Sequence, residues 1–217
     1  MRTIIAILML CCILVAAPAA SAEGEPADQG PSAAGKAGAF ARISKTVSGV
    51  KTIAGAFRQE RRLAMLARPA VSTGRFYCMK PDKLRWELIN PEPSGFLVNG
   101  DLAKQWKGKE GPSDAFETKQ NPLIKLIVDQ IFAWTTGDLK WLEQRYSINV
   151  VQDDPIILKL VPRSTKEKKY VDHLRISFEA GTNYVHVVNI LEKGGDSTRI
   201  EFFDLVINGQ LQQGLFE

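Results

Sequence analysis

The stretch GRFYCMKPDKLRWEL, Gly74 to Leu88, limits the fold more than any other part of the chain. Two apolar and aromatic runs flank Lys80-Pro81-Asp82-Lys83, which reads as the turn of a β-hairpin. Side chains alternate across a strand, so loop length decides which residues share a face, and a one-residue slip exchanges the faces. A loop of two or four residues pairs Met79 with Leu84, Tyr77 with Trp86 and Arg75 with Leu88. Those six form a mostly apolar face. Phe76, Cys78, Lys80, Lys83, Arg85 and Glu87 form a mostly charged one. The expectation is a curved antiparallel sheet with a wide apolar inner surface, which is either core or a place for cargo.

The first 22 residues stand apart from the fold. Arg2 gives a positive start, Ile4 to Ala17 is apolar, and Ala20-Ser21-Ala22 is a small-residue cleavage site, the pattern of a secretory signal peptide. The run is short of the roughly 20 residues that a membrane span needs. Cys11 and Cys12 follow Leu10 and Cys11 rather than the Gly or Ala of a lipidation site. Cleavage after Ala22 leaves Cys78 as the one cysteine, so no intramolecular disulfide is expected, although the compartment is oxidising. It also leaves 27 basic against 24 acidic residues, a formal charge of +3, too weak to imply nucleic acid.

Residues 23–36, rich in Gly, Pro, Ala and Ser, read as a disordered leader. Residues 37–217 read as one domain. Ala37 to Val47 has the spacing of a short amphipathic helix, with Phe40, Ile43 and Val47 on one side. Val50 to Leu66 favours helix by composition, while the alternation of Ile53, Gly55, Phe57 and Gln59 allows a first strand. Beyond the hairpin, Phe96 to Asn99 and Ala103 to Lys107 flank the tight-turn sequence Asn99-Gly100-Asp101. Asn121-Pro122 starts a helix in which Leu123, Ile124, Ile127, Ile131 and Trp134 recur at helical spacing. Gly137 ends it, and Asp138 caps a short second helix. Strands resume over 147–151, 156–161, 174–179, 185–192 and 198–208. Strands, a helix pair and more strands make an α+β design.

Chemistry-bearing patterns are sparse. His173 and His186 have no metal-ligand spacing to Cys, His or acidic partners, and both read as structural. No nucleophile elbow and no glycine-rich phosphate loop is present. Asp153-Asp154 precedes Pro155 and reads as a turn. These absences weigh against hydrolases and nucleotide-dependent enzymes and imply no metal or cofactor. The aromatics are not interleaved with a basic stripe, which excludes a single-strand nucleic-acid platform.

The order of motifs resembles the outer-membrane lipoprotein carrier family, LolA. Its signs here are Phe57-Arg58-Gln59, then Gly74, Lys80-Pro81 and Leu84-Arg85-Trp86, then Pro91 and the Val98, Gly100, Trp106 series. The helix pair follows, then Leu158, Leu160 and Pro162, and a late strand from Phe202 to Asn208. The resemblance implies an incomplete, strongly curved antiparallel β-barrel with a helical lid over an apolar cavity. It also implies a monomeric, non-enzymatic periplasmic carrier. Such a carrier takes lipoproteins from an inner-membrane ABC transporter and hands their acyl chains to an outer-membrane acceptor. The lipid-contacting residues expected on this basis are Phe57, Tyr77, Met79, Leu84, Trp86, Leu88, Phe96 and Val98 of the sheet, and Leu123, Ile127, Ile131 and Trp134 of the lid. Lys80 stands where the family's lid-holding Arg does, and lacks its planar fork. The family's carriers continue beyond Phe216 with a further strand. Ending at Glu217 leaves room for another cargo, such as a glycolipid, a hopanoid or a pigment lipid. The contrasting expectation is a periplasmic protein-interaction module with a filled core.

Overall fold

The computed structural model describes residues 33–108, 114–117 and 122–217. The expected signal peptide, most of the expected leader and the expected Asn121 cap lie outside these residues. Helix α1 (Ala33–Val47) leads into five strands: β1 (Thr52–Arg62), β2 (Ala70–Met79), β3 (Lys83–Asn90), β4 (Ser94–Asn99) and β5 (Leu102–Lys107). A short β6 (Asp114–Glu117) precedes the helix pair α2 (Pro122–Thr136) and α3 (Leu139–Arg145). The chain closes with β7 (Tyr146–Asp153), β8 (Ile156–Pro162), β9 (Val171–Phe178), β10 (Val185–Glu192) and β11 (Ser197–Ile207). The strands form a single antiparallel sheet in the order β6-β5-β4-β3-β2-β1-β11-β10-β9-β8-β7. Only one link, β1 to β11, joins distant parts of the sequence. The sheet is an open, curved barrel with β6 and β7 as its edges, and the helices fill its concave side.

The alternation in Val50 to Leu66 prevails over its helical composition: β1 pairs with both β2 and β11 across nearly its whole length. Two central partners give a strand more backbone hydrogen bonds and more burial than propensity differences of a few tenths of a kcal/mol can offset. Helix α1 starts four residues earlier than expected, so Ala33–Lys36 belong to it. Asp138 does cap α3, accepting from the Trp141 amide at 2.9 Å.

The hairpin corrects the expected register. Met79 pairs with Lys83, Cys78 with Leu84, Tyr77 with Arg85 and Phe76 with Trp86, so the loop is the three residues Lys80-Pro81-Asp82. An odd loop flips β2 relative to β3. Phe76, Cys78, Leu84 and Trp86 are all buried on the inner face. Tyr77 and Met79 go to the outer face with Lys83, Arg85 and Glu87. The expected pairing would have turned Arg75 inward, a charge without a partner in an apolar space. The observed one places Arg75 outside, opposite Glu87, and turns Gly74 inward. A Cβ on Gly74 would lie 2.0 Å from the Glu87 carbonyl and 2.4 Å from the Phe57 ring. That glycine lets Phe57 stack on Trp86 at 3.9 Å between centroids. Phe76 and Phe202 complete the aromatic cluster, with Phe202 edge-on to both Phe76 and Trp86.

The chain's last residues dock on the outer face. Arg85 Nη1 donates to the Leu215 carbonyl at 3.0 Å and Asn99 Nδ2 to that of Phe216 at 3.3 Å. Phe216 is buried there, as is Leu97, which shares a row with Tyr77 and Arg85.

Candidate functional site

Helix α2 sits in the concavity as a wedge between two clefts. Most of its residues are apolar, which fits a helix with packing partners on both sides, but Lys125 and Asp129 interrupt one flank. Ile127, Val128, Ile131, Ala133, Trp134 and Thr135 are buried. Lys125, Val128, Asp129, Phe132 and Thr136, spaced at helical intervals, face a cleft of about 740 Å³. The opposite side of that cleft is the hairpin tip Lys80–Asp82, Gly100, the end of α1 and Trp141. Leu126, Ile127, Gln130, Ile131 and Trp134 face a second cleft of about 300 Å³. Its far wall is Tyr146, Pro162, Val171, Leu174 and Ile190, and its mouth lies at Lys166, Glu167 and Tyr170.

Polar contacts seat the helix at both flanks. Gln130 Nε2 donates to the Tyr146 hydroxyl at 2.5 Å. Burial pushes that phenol up to about 12. On the other flank, the Cys78 thiol meets the Thr135 hydroxyl at 3.6 Å. Burial raises the thiol to about 12, against a small opposing effect of that contact. Cys78, expected on the charged face, is a buried group joining lid to sheet. A neutral thiol at physiological pH is no nucleophile.

The α2–α3 junction is held against α1. Gly137 takes φ +62°, and a Cβ there would come within 3.0–3.1 Å of Val47 and Ile43. Helix α1 is tied to two turns of the far half: Arg42 bonds Asp153 through both its carbonyl and its carboxylate at 2.7 Å, and Thr46 Oγ1 donates to Thr182 O at 3.1 Å.

The expected lipid-contacting residues are divided among several places. Phe57, Leu84, Trp86 and Phe96 are packed against one another and line neither cleft. Val98 lines the first cleft, and Ile127, Ile131 and Trp134 line the second. Leu88 is half-buried and packs on the core. Tyr77 and Met79 are on the outer face, away from both clefts, which corrects their assignment. The side chain of Leu123 lies outside the described residues. Lys80 is at the rim of the first cleft, and its ammonium donates to the Val47 carbonyl on α1 at 3.4 Å. Residues missed from sequence are Leu126, on the wedge itself, and Tyr146, Leu174 and Ile190, on the wall opposite it. The alternation within 156–161, 174–179 and 185–192 was the available signal.

The inner face is not wholly apolar. On β1 the row continues from Phe57 to Gln59 and Arg61. Gln59 pairs across with Ile200, and Arg61 with Thr198. Arg61 Nη2 is 3.3 Å from Glu192 Oε1, and burial raises the Glu192 carboxyl against the pull of that guanidinium. Of the histidines, His173 is buried with Nδ1 2.8 Å from Asp172. Lys193 and His173 hold that carboxyl below the usual range.

A family model described as outer membrane lipoprotein carrier protein LolA matches residues 48–217. An outer-membrane lipoprotein carrier protein of Coxiella burnetii (strain CbuK_Q154) is 24% identical over 147 residues, 67% of this chain and 66% of that one. The chain thus spans just under two thirds of that relative's length. Among solved structures, MucB is similar at a TM-score of 0.51 and 14% identity, over 87% of this chain and 64% of MucB. The Mycobacterium tuberculosis lipoprotein LppX gives a TM-score of 0.48 and 9% identity, over 83% and 99% respectively. The likeness to MucB supports the fold alone. The family match covers most of the chain, from the end of α1 through the last strand and the docked C-terminus, and on that extent the chain belongs to the LolA family.

Proposed function

We propose that this protein is a periplasmic, non-enzymatic carrier that shields the acyl chains of a lipoprotein, or of another acylated lipid, between an inner-membrane transporter and an outer-membrane acceptor. The observation that carries this reading is the apolar wedge α2 with an aliphatic cleft along one side. At about 300 Å³ that cleft is at the lower end of ligand sites, which span roughly 300–1,000 Å³. It grows only if the helix moves.

The magnitudes suit an exchange of helix for cargo. Seating α2 buries Ile127, Val128, Ile131 and Trp134. At about 1.5–3 kcal/mol for each fully buried side chain, the four hold the helix with roughly 6–12 kcal/mol before entropy is counted. An acyl segment of about ten methylenes, at about 0.8 kcal/mol each, supplies about 8 kcal/mol. The two are comparable, so cargo can displace the helix and the helix can displace cargo.

The test is lipid analysis of the protein purified from its own periplasm, together with tryptophan fluorescence on adding an acyl probe. Carrier function predicts extractable lipid and a fluorescence change from Trp134. Lipid-free protein with unchanged fluorescence overturns it. Such a result would favour an interaction module, the reading supported by the tightly filled aromatic cluster.

A further inference from the structure

Two residues of the polar row on the inner face each leave a buried polar atom without a hydrogen bond. Gln59 is 6% and Thr198 is 2% exposed. Neither the Gln59 Oε1 acceptor nor the Thr198 hydroxyl has a hydrogen-bond partner. The indole N–H of Trp134, which lines the second cleft, is also buried without an acceptor. Buried polar groups in folded proteins are almost always satisfied, and one left unsatisfied costs its full desolvation. Gln59 and Thr198 share the concave face of the sheet with the Trp86 indole N–H, which is likewise unpartnered, and Trp134 lines the cleft from α2. Gln59 and Thr198 are diagonal neighbours on adjacent strands: Gln59 faces Ile200, and Thr198 is two residues back along β11.

The row runs on into the cleft. Thr198 pairs with Ile190, which pairs with Leu174, and both aliphatics form the cleft wall. A chain lying along Leu174 and Ile190 therefore ends at Thr198 and Gln59. The Arg61–Glu192 pair lies just beyond.

We propose that Gln59 and Thr198, with Trp134, form a seat for a secondary amide that links the acyl chain of the cargo to its headgroup. This rests on the carrier reading and names the cargo's polar end. The three groups offer one acceptor and two donors: Gln59 Oε1 takes the amide N–H, and the Thr198 hydroxyl or the Trp134 indole gives to the amide carbonyl. Diagonal positions on one sheet face have Cβ atoms about 7–8 Å apart, a gap that one amide bonded on both sides can fill. An ester supplies the carbonyl but no N–H, so Gln59 Oε1 stays unsatisfied and esters bind less well. A plain hydrocarbon satisfies none of them.

The experiment compares two probes of equal chain length, an N-lauroyl amide and an alkyl ether, on the wild type and on Gln59→Leu/Thr198→Val. Wild type is expected to prefer the amide. The double variant loses about tenfold in amide affinity, the scale of one or two hydrogen bonds, keeps its ether affinity and melts at a higher temperature without ligand. Thr198→Ser, which retains the hydroxyl, keeps the preference and guards against a misfolded variant. Equal amide and ether affinities in the wild type, or a parallel loss of both in the double variant, overturn the proposal while leaving the carrier reading intact. Failure of the wild type to bind either probe overturns both.

Discussion

The two clefts beside α2 differ in a way that volume alone would misjudge. The larger has Lys80, Asp82, Lys125, Asp129 and Asp138 around it, and Lys125 and Asp129 form an ion pair at 3.0 Å. The smaller is walled by Leu126, Ile127, Ile131, Trp134, Leu174 and Ile190. One helix thus presents a flank bearing charges to the hairpin tips and an apolar flank to the strands of the C-terminal half. A cavity large enough for a ligand is useful to an acyl chain only where water gains nothing by staying. On the proposed carrier function, the difference favours the smaller cleft for cargo and the larger for the opening motion.

The largest expected effect tests whether the aromatic floor is core. Phe57→Ala should cost about 3–5 kcal/mol in a urea unfolding experiment, because it leaves a hole beside Trp86 that the β1–β2 backbone cannot close. A cost under about 1 kcal/mol would mean the ring faces cargo space rather than packed neighbours. Next comes a matched pair on opposite flanks of α2. Leu126 and Phe132 are both half-buried, and each lines one cleft. Leu126→Trp should fill the apolar cleft and displace about three or four methylenes of cargo, a loss of roughly 100-fold in acyl-probe affinity at about 0.8 kcal/mol per methylene. Phe132→Trp should leave affinity within about twofold. Equal effects would erase the distinction between the clefts.

How far the sequence reached depends on the same contrast between local pattern and long-range closure. Alternation located nearly every strand, and Asp138 and Gly137 marked the break between the helices, because these signals depend on neighbours a few residues apart. The faces of the hairpin did not follow, because they depend on one loop residue and on the Phe57–Trp86 stack, which brings β1 against β3. Two residues carried the missing information. Arg75 on the expected apolar face was a warning, and Gly74, which pairs directly with Phe57, was the sign of a close approach. Helix-favouring composition also obscured β1, whose partners lie from 9 (Arg61 to Ala70) to 154 (Ile53 to Ile207) positions away in the chain. The apolar cleft was legible only in part, since its lid came from helical spacing, whereas its opposite wall exists only once β7 to β10 curve round it.

Cys78, in contact with Thr135 of α2, offers a probe of the proposed lid motion. With its thiol buried and raised to about 12, alkylation at neutral pH should be slow and should speed up several-fold when an acyl probe lifts α2. Rapid alkylation without probe would mean the helix is open at rest. The same burial sets a pH dependence. A thiol whose pKa is raised by folding favours the folded state below about pH 9, where the unfolded thiol begins to ionise, and that contribution is lost as pH climbs toward about 12. Tyr146 acts in the same direction from about pH 10. Cys78→Ala should therefore flatten part of the alkaline decline in melting temperature, and an unchanged slope would show that the thiol is not buried in solution.

The smallest effect concerns Lys80. A lid latch must bind the lid, yet the ammonium of Lys80 donates to the carbonyl of Val47, in the last turn of α1, at 3.4 Å. A cation at a helix C-terminus is worth about 0.3–1 kcal/mol, and Lys80 is exposed, so screening keeps it at the low end. Lys80→Met should lower stability by a few tenths of a kcal/mol and leave the rate of acyl-probe uptake unchanged, because the contacts that seat α2, Gln130 with Tyr146 and Thr135 with Cys78, remain. Gln130→Leu should speed uptake, since it releases the wedge on the apolar side. If Lys80→Met speeds uptake instead, the charged flank governs opening and Lys80 acts on α2 through the first cleft, as the family's Arg is expected to do. The two variants thus decide which side of the wedge gives way first.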